Sequence, residues 1–232
     1  QTYLKCSNVT AIIRLGYNDH GPVHVKIVAQ KALKMHRILT DRGVIPSSVR
    51  DYDLSVEDSE VIVYLASVLH DIGHAISRED HETLGLMLSI PLLKEILKGI
   101  YDGEMSAIIT SEVGHAMKSH EYSSIPLTLE GGIVKIADAL DMEEGRARIP
   151  FSKGSVSIHS VSALSIKKVN IREGGDNEKP IVVEIEMTNS AGIFQIDDLL
   201  EGKLKNSGLM DYVSIYAKVE GKERSILKEF RI

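Results

Sequence analysis

Apolar residues recur at helical spacing over residues 1–150 of this chain and alternate at every second position beyond them. Pro22 suits the first turn of a helix and Gly43 suits its end, while Ser55 and Asp58 form a capping-box pattern ahead of another helix. The segments with helical spacing cover residues 21–42, 56–71, 77–90, 92–101, 104–118 and 130–144. Five or six helices with short connections predict an all-α bundle.

The alternating pattern after Pro150 predicts β-strands, with one amphipathic helix at residues 193–204 that ends at Gly208. The predicted strands cover residues 181–187, residues 213–219 and, after a turn at residues 220–222, a last strand with Ile226, Phe230 and Ile232 on one face. We expect a flexible loop at residues 172–180. The fold class is therefore predicted as α+β, with a helical domain of residues 1–150 and a small α+β domain of residues 151–232.

Composition narrows the function classes. The chain has 232 residues and one cysteine, Cys6, which excludes a disulfide scaffold and a zinc site built on several thiolates. Its net charge of −6 argues against an extended nucleic-acid partner, and no apolar run approaches the length of a membrane span. The first residues lack the pattern of a signal peptide, so we expect a cytoplasmic protein.

Histidines and acidic charge concentrate in the predicted helical domain, where eight of the nine histidines lie before residue 121. His24, His81 and Asp138 each share a helix face with apolar residues, and His70-Asp71 ends the helix that reads VLHDIGH. Polar side chains that face a core are costly unless they are paired. Several imidazoles and carboxylates from separate helices therefore indicate one shared partner, and a divalent metal ion satisfies both types of ligand.

These residues resemble a known signature. His24, then His70-Asp71, then Asp138 in KIADALD is similar to the H…HD…D pattern of the HD superfamily of metal-dependent phosphohydrolases, over about residues 17–148. The resemblance implies an HD-type helical bundle with metal ligands at these four positions. Two-metal members add further histidines, and His81, His115 and His120 stand where those are expected. The segment EYSSIPLTLEGG lacks the Gly-Tyr-Pro of HD-GYP domains, which argues against cyclic dinucleotide specificity.

The resemblance implies a metal-dependent phosphohydrolase that cleaves a phosphate ester or anhydride, with a nucleotide as the favoured small-molecule substrate, by attack of a metal-bound hydroxide. The cofactor would be one or two divalent ions of Mn, Fe, Co, Ni, Zn or Mg. Asp71 would bridge two ions, and His74 would contact phosphate. Cations for the developing negative charge are predicted at Lys118 and Arg146, with Arg78 and Arg148 as further candidates, and Asp141 or Glu121 would orient a ligand or move a proton.

Other interpretations remain open at this stage. The protein could be a nucleotide-binding regulatory module with little turnover, or a di-iron oxygenase of the same fold. His70 could simply favour a helix C-terminus, His120 could be a loop residue and His20 a helix cap. His36 is expected on a solvated face and His159 in a strand. We expect residues 151–232 to form a homo-oligomer, with a homodimer favoured, and to be dispensable for the chemistry.

Overall fold

The computed structural model describes residues 1–146, 162, 164–219 and 230–231. The protein is α+β, with helices in the first part of the chain and a small sheet in the second. The α-helices are α1 (Thr2–Asn8), α2 (Pro22–Asp41), α3 (Ser47–Tyr52), α4 (Val56–Leu69), α5 (His81–Leu97), α6 (Gly103–Ser119), α7 (Leu129–Ala139) and α8 (Gly202–Lys205). Irregular helical turns are Val9–Arg14, Ile72–Ala75, Ser190–Gly192 and Gln195–Glu201.

Local signals set the ends of the two long central helices as the sequence predicts. Pro22 occupies the first turn of α2, and Gly43 follows its end with a φ of 79°, a left-handed conformation that glycine adopts without strain. The hydroxyl of Ser55 accepts from the Asp58 N–H while the Asp58 carboxylate accepts from the Ser55 N–H, so the capping box ahead of α4 is confirmed.

Other helix predictions are wrong in detail. Pro91 does not separate two helices but lies inside α5. Its ring is exposed, while Leu93 and Leu97 continue the buried face of the same helix, so packing outweighs the lost backbone hydrogen bond. Helix α7 ends at Ala139, short of the predicted end at residue 144. His36 is buried rather than solvated, and its Nε2 lies 2.9 Å from the Ser59 hydroxyl.

Two short helices were not predicted. Helix α1 and the turn that extends it bury few side chains, so their sequence carries a weak helical period. The segment nevertheless contacts the start of the turn Ile72–Ala75, because the Ser7 hydroxyl donates to the carbonyl of Asp71 at 3.3 Å. Helix α3 is a single short turn-rich segment whose first residues, Ser47 and Ser48, are buried.

The sheet has four strands in the order β1-β2-β3-β4, namely Ile166–Glu173, Ile181–Met187, Val213–Val219 and Phe230–Arg231. Strand β2 pairs antiparallel with β1 and parallel with β3, and β3 pairs antiparallel with β4. The predicted strands at residues 181–187 and 213–219 are confirmed. Strand β1 was missed because an irregular register near Ile166 and Lys168 breaks the two-residue alternation.

The predicted helix of residues 193–204 exists as a π-helical turn followed by α8, in the crossover between β2 and β3. Buried apolar residues form one cluster that runs from the helices into the sheet, and α7 contacts α8. The predicted turn at residues 220–222, Ile226, Ile232, Arg148 and His159 lie outside the described residues. Within the described residues, no helix is both long enough and apolar enough to cross a membrane.

Candidate metal centre

Ends of several helices meet at one place and bring imidazoles and carboxylates together there. His24 comes from the first turn of α2, and His70-Asp71 directly follows α4. His74 lies in the turn Ile72–Ala75, His81 begins α5 and His120 ends α6. The side chains that can act as ligands in one shared cluster are His20, His24, His70, Asp71, His74, His81, Glu82, His120 and Asp138.

One group of ligand atoms surrounds the Oδ2 atom of Asp71. His24 Nε2 lies 3.2 Å and His70 Nε2 lies 3.3 Å from this oxygen. The two Nε2 atoms are 3.2 Å apart, and Oδ1 of Asp138 lies 3.3 Å from His24 Nε2. Two ligands about 2.1 Å from one ion, at tetrahedral or octahedral angles, stand about 3.0–3.4 Å apart. The spacing of this group fits a divalent metal ion.

A second group faces the other carboxylate oxygen, Oδ1 of Asp71. His81 Nε2 lies 3.5 Å, His74 Nε2 3.6 Å and His120 Nε2 3.8 Å from this oxygen. The carboxylate of Glu82 approaches His81 Nε2 at 3.5 Å. These separations exceed the usual length of a hydrogen bond, so the atoms lie close together without forming hydrogen bonds to one another. Asp71 thus presents one oxygen to each of two imidazole groups.

The imidazoles are oriented by hydrogen bonds on the opposite side of each ring. A carbonyl or carboxylate oxygen can only accept, so each Nδ1 below carries a proton and each Nε2 is turned toward the cluster. The Nδ1 donations run from His20 to Asn18 O at 2.7 Å, from His24 to Asp141 Oδ2 at 2.6 Å, from His70 to Ser67 O at 2.9 Å, from His81 to Arg78 O at 2.9 Å and from His120 to Met117 O at 2.5 Å. This is the arrangement that metal-binding histidines adopt in proteins.

Buried polar atoms in the cluster lack hydrogen-bond partners. In the described part of the chain these include Oδ2 of Asp71 and both ring nitrogens of His74. His24 and His70 approach Oδ2 of Asp71 closely, but without hydrogen-bond geometry. Such atoms are costly unless another partner binds them, and the donor set of imidazoles and carboxylates suits a cation.

The pKa values describe the same demand for positive charge. Burial lowers the pKa of His24, but the carboxylates of Asp138, Asp141 and Asp71 outweigh burial and raise it to about 9. Burial opposes protonation of His70 too, yet Asp71 and Asp138 raise its pKa to about 10. The carboxylates that stabilise an added proton on these rings would also stabilise a metal ion. The metal ion binds the neutral form of each ring.

His74 and His120, on the other side of Asp71, are neutral rings. Burial lowers the pKa of His74 to about 4, and burial with the nearby His70 lowers that of His120 to about 3. Burial also lowers the pKa of His20 well below its usual range. Neutral rings are the form in which histidine binds a metal.

Close backbone packing holds the turn Ile72–Ala75 against helix α5. A Cβ at Gly73 would overlap the carbonyl oxygen of His81, and a Cβ at Gly85 would touch the backbone of Gly73 at 3.4 Å. The turn Ile72–Ala75 can therefore lie directly on α5. His74 and His81 stack as a result, with ring centroids 4.0 Å apart.

Helix α7 holds the loop that follows α6. Lys135 is fully buried, and its ammonium donates to the carbonyl oxygens of Ser119 at 3.5 Å, Glu121 at 2.7 Å, Tyr122 at 3.2 Å and Ser124 at 2.5 Å. Four carbonyls balance the desolvation of this ammonium. The contact fixes the loop that begins at His120.

A cavity of about 320 Å³ opens onto the cluster. Its charged lining residues, other than histidines, are Asp71, Glu82, Glu121, Asp138 and Asp141 on the acidic side and Arg78, Arg146 and Lys203 on the basic side. Arg146 donates to the carbonyls of Asp19 at 3.2 Å and Asp141 at 2.9 Å, and Arg78 lies over the ring of Tyr17. Carboxylates outnumber the basic side chains, so the cavity attracts cations.

The structure brings together most of the predicted site residues, but not all. His115 accepts the Leu127 N–H at 3.0 Å on its Nε2 and lies outside the cluster. Lys118 pairs with Glu121 at 2.6 Å and does not line the cavity. His115 and His120 both belong to the end of α6, but only His120 faces Asp71.

Three charged or imidazole side chains of the cluster and cavity were not predicted as site residues. His20 was expected only as a helix cap, although it stands four residues before His24 in HGPVH. Glu82 follows His81 directly in the sequence, but only His81 was predicted as a ligand. Lys203 comes from the C-terminal part of the chain, and no local pattern links it to Asp138.

Comparisons with known proteins agree with the geometry. The HD domain matches residues 23–143 of the chain. An uncharacterized protein of Methanocaldococcus jannaschii is 48% identical over 231 residues, which cover 100% of this chain and 88% of that protein. The residues that match the HD domain contain the whole cluster except His20, and they do not include Lys203.

Proposed function

Since this chain belongs to the HD domain family, we propose that it is a metal-dependent phosphohydrolase that cleaves a phosphate ester or anhydride of a small molecule, with a nucleotide as the favoured class. The observation that carries the proposal is the divided environment of Asp71, whose two oxygens face two separate groups of imidazoles. A cavity of about 320 Å³ beside this carboxylate suits a small substrate.

We propose two ions per chain, because the ligand atoms fall into two groups around Asp71. His24, His70, Asp138 and Oδ2 of Asp71 would hold the first ion. His81, His120 and Oδ1 of Asp71 would hold the second, and His20, His74 and Glu82 stand close enough to add ligands. When bound, such ions lower the pKa of water and neutralise phosphate oxygens.

Residues of the chain itself would bind and orient the phosphate. Arg146 is held by two backbone carbonyls, so its guanidinium keeps one position at the cavity wall. Arg78 lies at the same cavity, and the neutral His74 ring retains an N–H that can donate to a phosphate oxygen. Asp141 accepts from His24 Nδ1 and thereby orients that ring.

Charge explains why such a phosphohydrolase would depend on metal. Five carboxylates and three basic side chains line the cavity, so a phosphate dianion would be repelled without added cations. Two divalent ions reverse this balance. We therefore expect phosphate binding and hydrolysis to disappear together when the metal is removed.

The test is a metal-replete preparation assayed against phosphomonoesters, nucleotides and dinucleotides, with metal content measured on the same sample. We expect close to two divalent ions per chain, turnover with Mn²⁺ or Mg²⁺, and loss of both after strong chelation. Metal binding without turnover of any phosphoester would favour the nucleotide-binding regulatory module. Two irons and O₂ consumption would favour the oxygenase.

We also propose that the full chain forms homo-oligomers through residues 151–232 in the cytoplasm. This proposal rests on fold-level analogy, because a small α+β unit joined to a catalytic helical domain often serves assembly. Light scattering of the full-length protein at several concentrations tests it, and a monomer at all concentrations would refute it.

A further inference from the structure

Lys203 belongs to α8, well beyond the residues that match the HD domain, yet its side chain reaches the candidate metal centre. Its Nζ lies 2.6 Å from Oδ2 of Asp138, and the side chains of the two residues are only 14% and 13% exposed. Helix α8 packs against α7, which carries Asp138, and this packing positions the ammonium. The C-terminal part of the chain therefore contributes a cation to the cavity.

The two oxygens of Asp138 have different neighbours. Oδ1 faces His24 and His70, while Oδ2 accepts from Lys203. In the part of the chain that the structure describes, the Lys203 ammonium donates to Oδ2 of Asp138. An ammonium carries three protons, so this contact leaves donors for another acceptor in the same cavity.

The other two cations of the cavity are positioned differently. Arg146 directs two of its donors to the backbone, and Arg78 stacks on Tyr17 near an exposed edge. Lys203 is the cation whose ammonium touches a carboxylate of the candidate metal centre. A phosphate oxygen bound beside Asp138 would therefore lie within its reach.

We propose that Lys203 is a substrate-binding residue whose ammonium donates to the phosphoryl group of the substrate while it contacts Asp138. The inference rests on the proposed function, because it assigns a phosphoryl group to the same cavity. Gln195 and Leu199, from the turn before α8, line that cavity as well. The segment of residues 195–203 is then a wall of the active site, contrary to our expectation that residues 151–232 are dispensable for the chemistry.

The experiment compares Lys203→Met, Lys203→Arg and a matched control in the full-length, Mn²⁺-loaded protein. The control is Lys205→Met. Lys205 lies in the same helix, its side chain is 60% exposed, and it pairs with Glu201. Binding of inorganic phosphate is measured by calorimetry, and bound metal by elemental analysis. Kinetic constants are measured with a generic phosphomonoester.

We expect Lys203→Met to weaken phosphate binding and to raise KM about 10- to 100-fold, with a smaller change in kcat. Lys203→Arg should restore most of the affinity, because the positive charge remains. Lys205→Met should match the wild type, and all variants should keep their metal. If Lys203→Met lowers the unfolding temperature markedly, Lys203→Gln takes its place in the same measurements.

Unchanged phosphate affinity in folded, metal-loaded Lys203→Met would overturn the inference. Loss of bound metal in that variant would also overturn it, because Lys203 would then act only through Asp138. A wild-type protein that binds phosphate through Lys203 but hydrolyses no phosphoester would refute the proposed function while supporting this inference. A metal-loaded wild type that binds no phosphate would refute both.

Discussion

Two buried carboxylates, Glu130 and Asp71, have opposite surroundings. Both are almost completely inaccessible, at 0% and 3% exposure. Oε1 of Glu130 accepts from the Ser48 N–H at 2.9 Å, the Ser48 hydroxyl at 2.6 Å and the Ser59 hydroxyl at 3.0 Å, while Oε2 accepts from the Ser47 N–H at 3.2 Å. Asp71 has neighbouring imidazole nitrogens instead, and one of its oxygens has no hydrogen-bond partner among the described residues.

The difference separates a structural carboxylate from one that is suited to bind a cation. Glu130 ties α3 and α4 to α7 through donors that the protein supplies, so it needs no further partner. The rings around Asp71 direct their Nδ1 protons away from it and turn their Nε2 atoms toward it. A carboxylate surrounded by ring nitrogens in this orientation is stable only with a proton or a metal ion between them.

The largest effect is expected at Asp71. Asp71→Asn removes the negative charge that both imidazole groups share, so we expect kcat to fall by about three orders of magnitude or more and most of the metal to be lost. The free energy of unfolding of the apoprotein should change little. Metal analysis, steady-state kinetics and thermal unfolding measure these quantities on one sample. Near-normal turnover in this variant would show that Asp71 is not a ligand.

Glu130 should behave in the reverse way. Glu130→Ala leaves the buried donors of Ser47, Ser48 and Ser59 without an acceptor, and we expect it to lower the free energy of unfolding by about 3 kcal/mol. Metal content and kcat per folded molecule should stay close to the wild type. Denaturant unfolding and kinetics below the transition measure both. If the variant lost metal without losing stability, the contrast between the two carboxylates would be wrong.

Part of the fold and of the candidate site could be predicted from the sequence. Helices α2, α4 and α6 follow from apolar periodicity and caps, because their packing faces are continuous in sequence. The sequence also predicted His24, His70, Asp71 and Asp138 as one site. Their contacts bridge separate helices, and the HD signature supplied the link that local patterns do not contain.

The remaining features depend on tertiary contacts. Whether Pro91 ends a helix is decided by the buried leucines beyond it, and strand β1 contains an irregular register that breaks its period. His115 and His120 look equivalent in sequence, but the geometry at the end of α6 turns only His120 toward Asp71. Lys203 meets Asp138 through a crossover between strands, which no motif encodes.

A smaller effect should separate one metal from two. His81→Ala removes an imidazole from the Oδ1 side of Asp71 only, so bound metal should fall from near two ions per chain toward one. We expect kcat to fall about 10- to 100-fold, more than KM rises. His115→Ala is the matched comparison, because that ring lies outside the cluster and should keep the wild-type metal content. A wild type that saturates with one ion would favour a single-ion site.

The smallest effect is expected at Lys135. Lys135→Met fills a similar volume but removes the donor for the carbonyls of residues 119–124, and we expect a loss of about 1–2 kcal/mol of stability. Hydrogen exchange should accelerate in that segment and not in α4. If the variant and the wild type show the same exchange rates in that segment, contacts other than those of Lys135 hold the loop.

The contact between Gly73 and α5 also has a consequence for recognising similar sites in other chains. Any side chain at Gly73 would collide with the main chain of α5, whereas a Cβ at Gly85 would meet the backbone of Gly73 at 3.4 Å, an ordinary contact distance. A chain that builds this centre therefore needs glycine at one fixed offset, two positions after the aspartate of the His-Asp pair. A search pattern that includes this glycine would distinguish a carboxylate placed between two groups of imidazoles from the many His-Asp pairs that arise by chance.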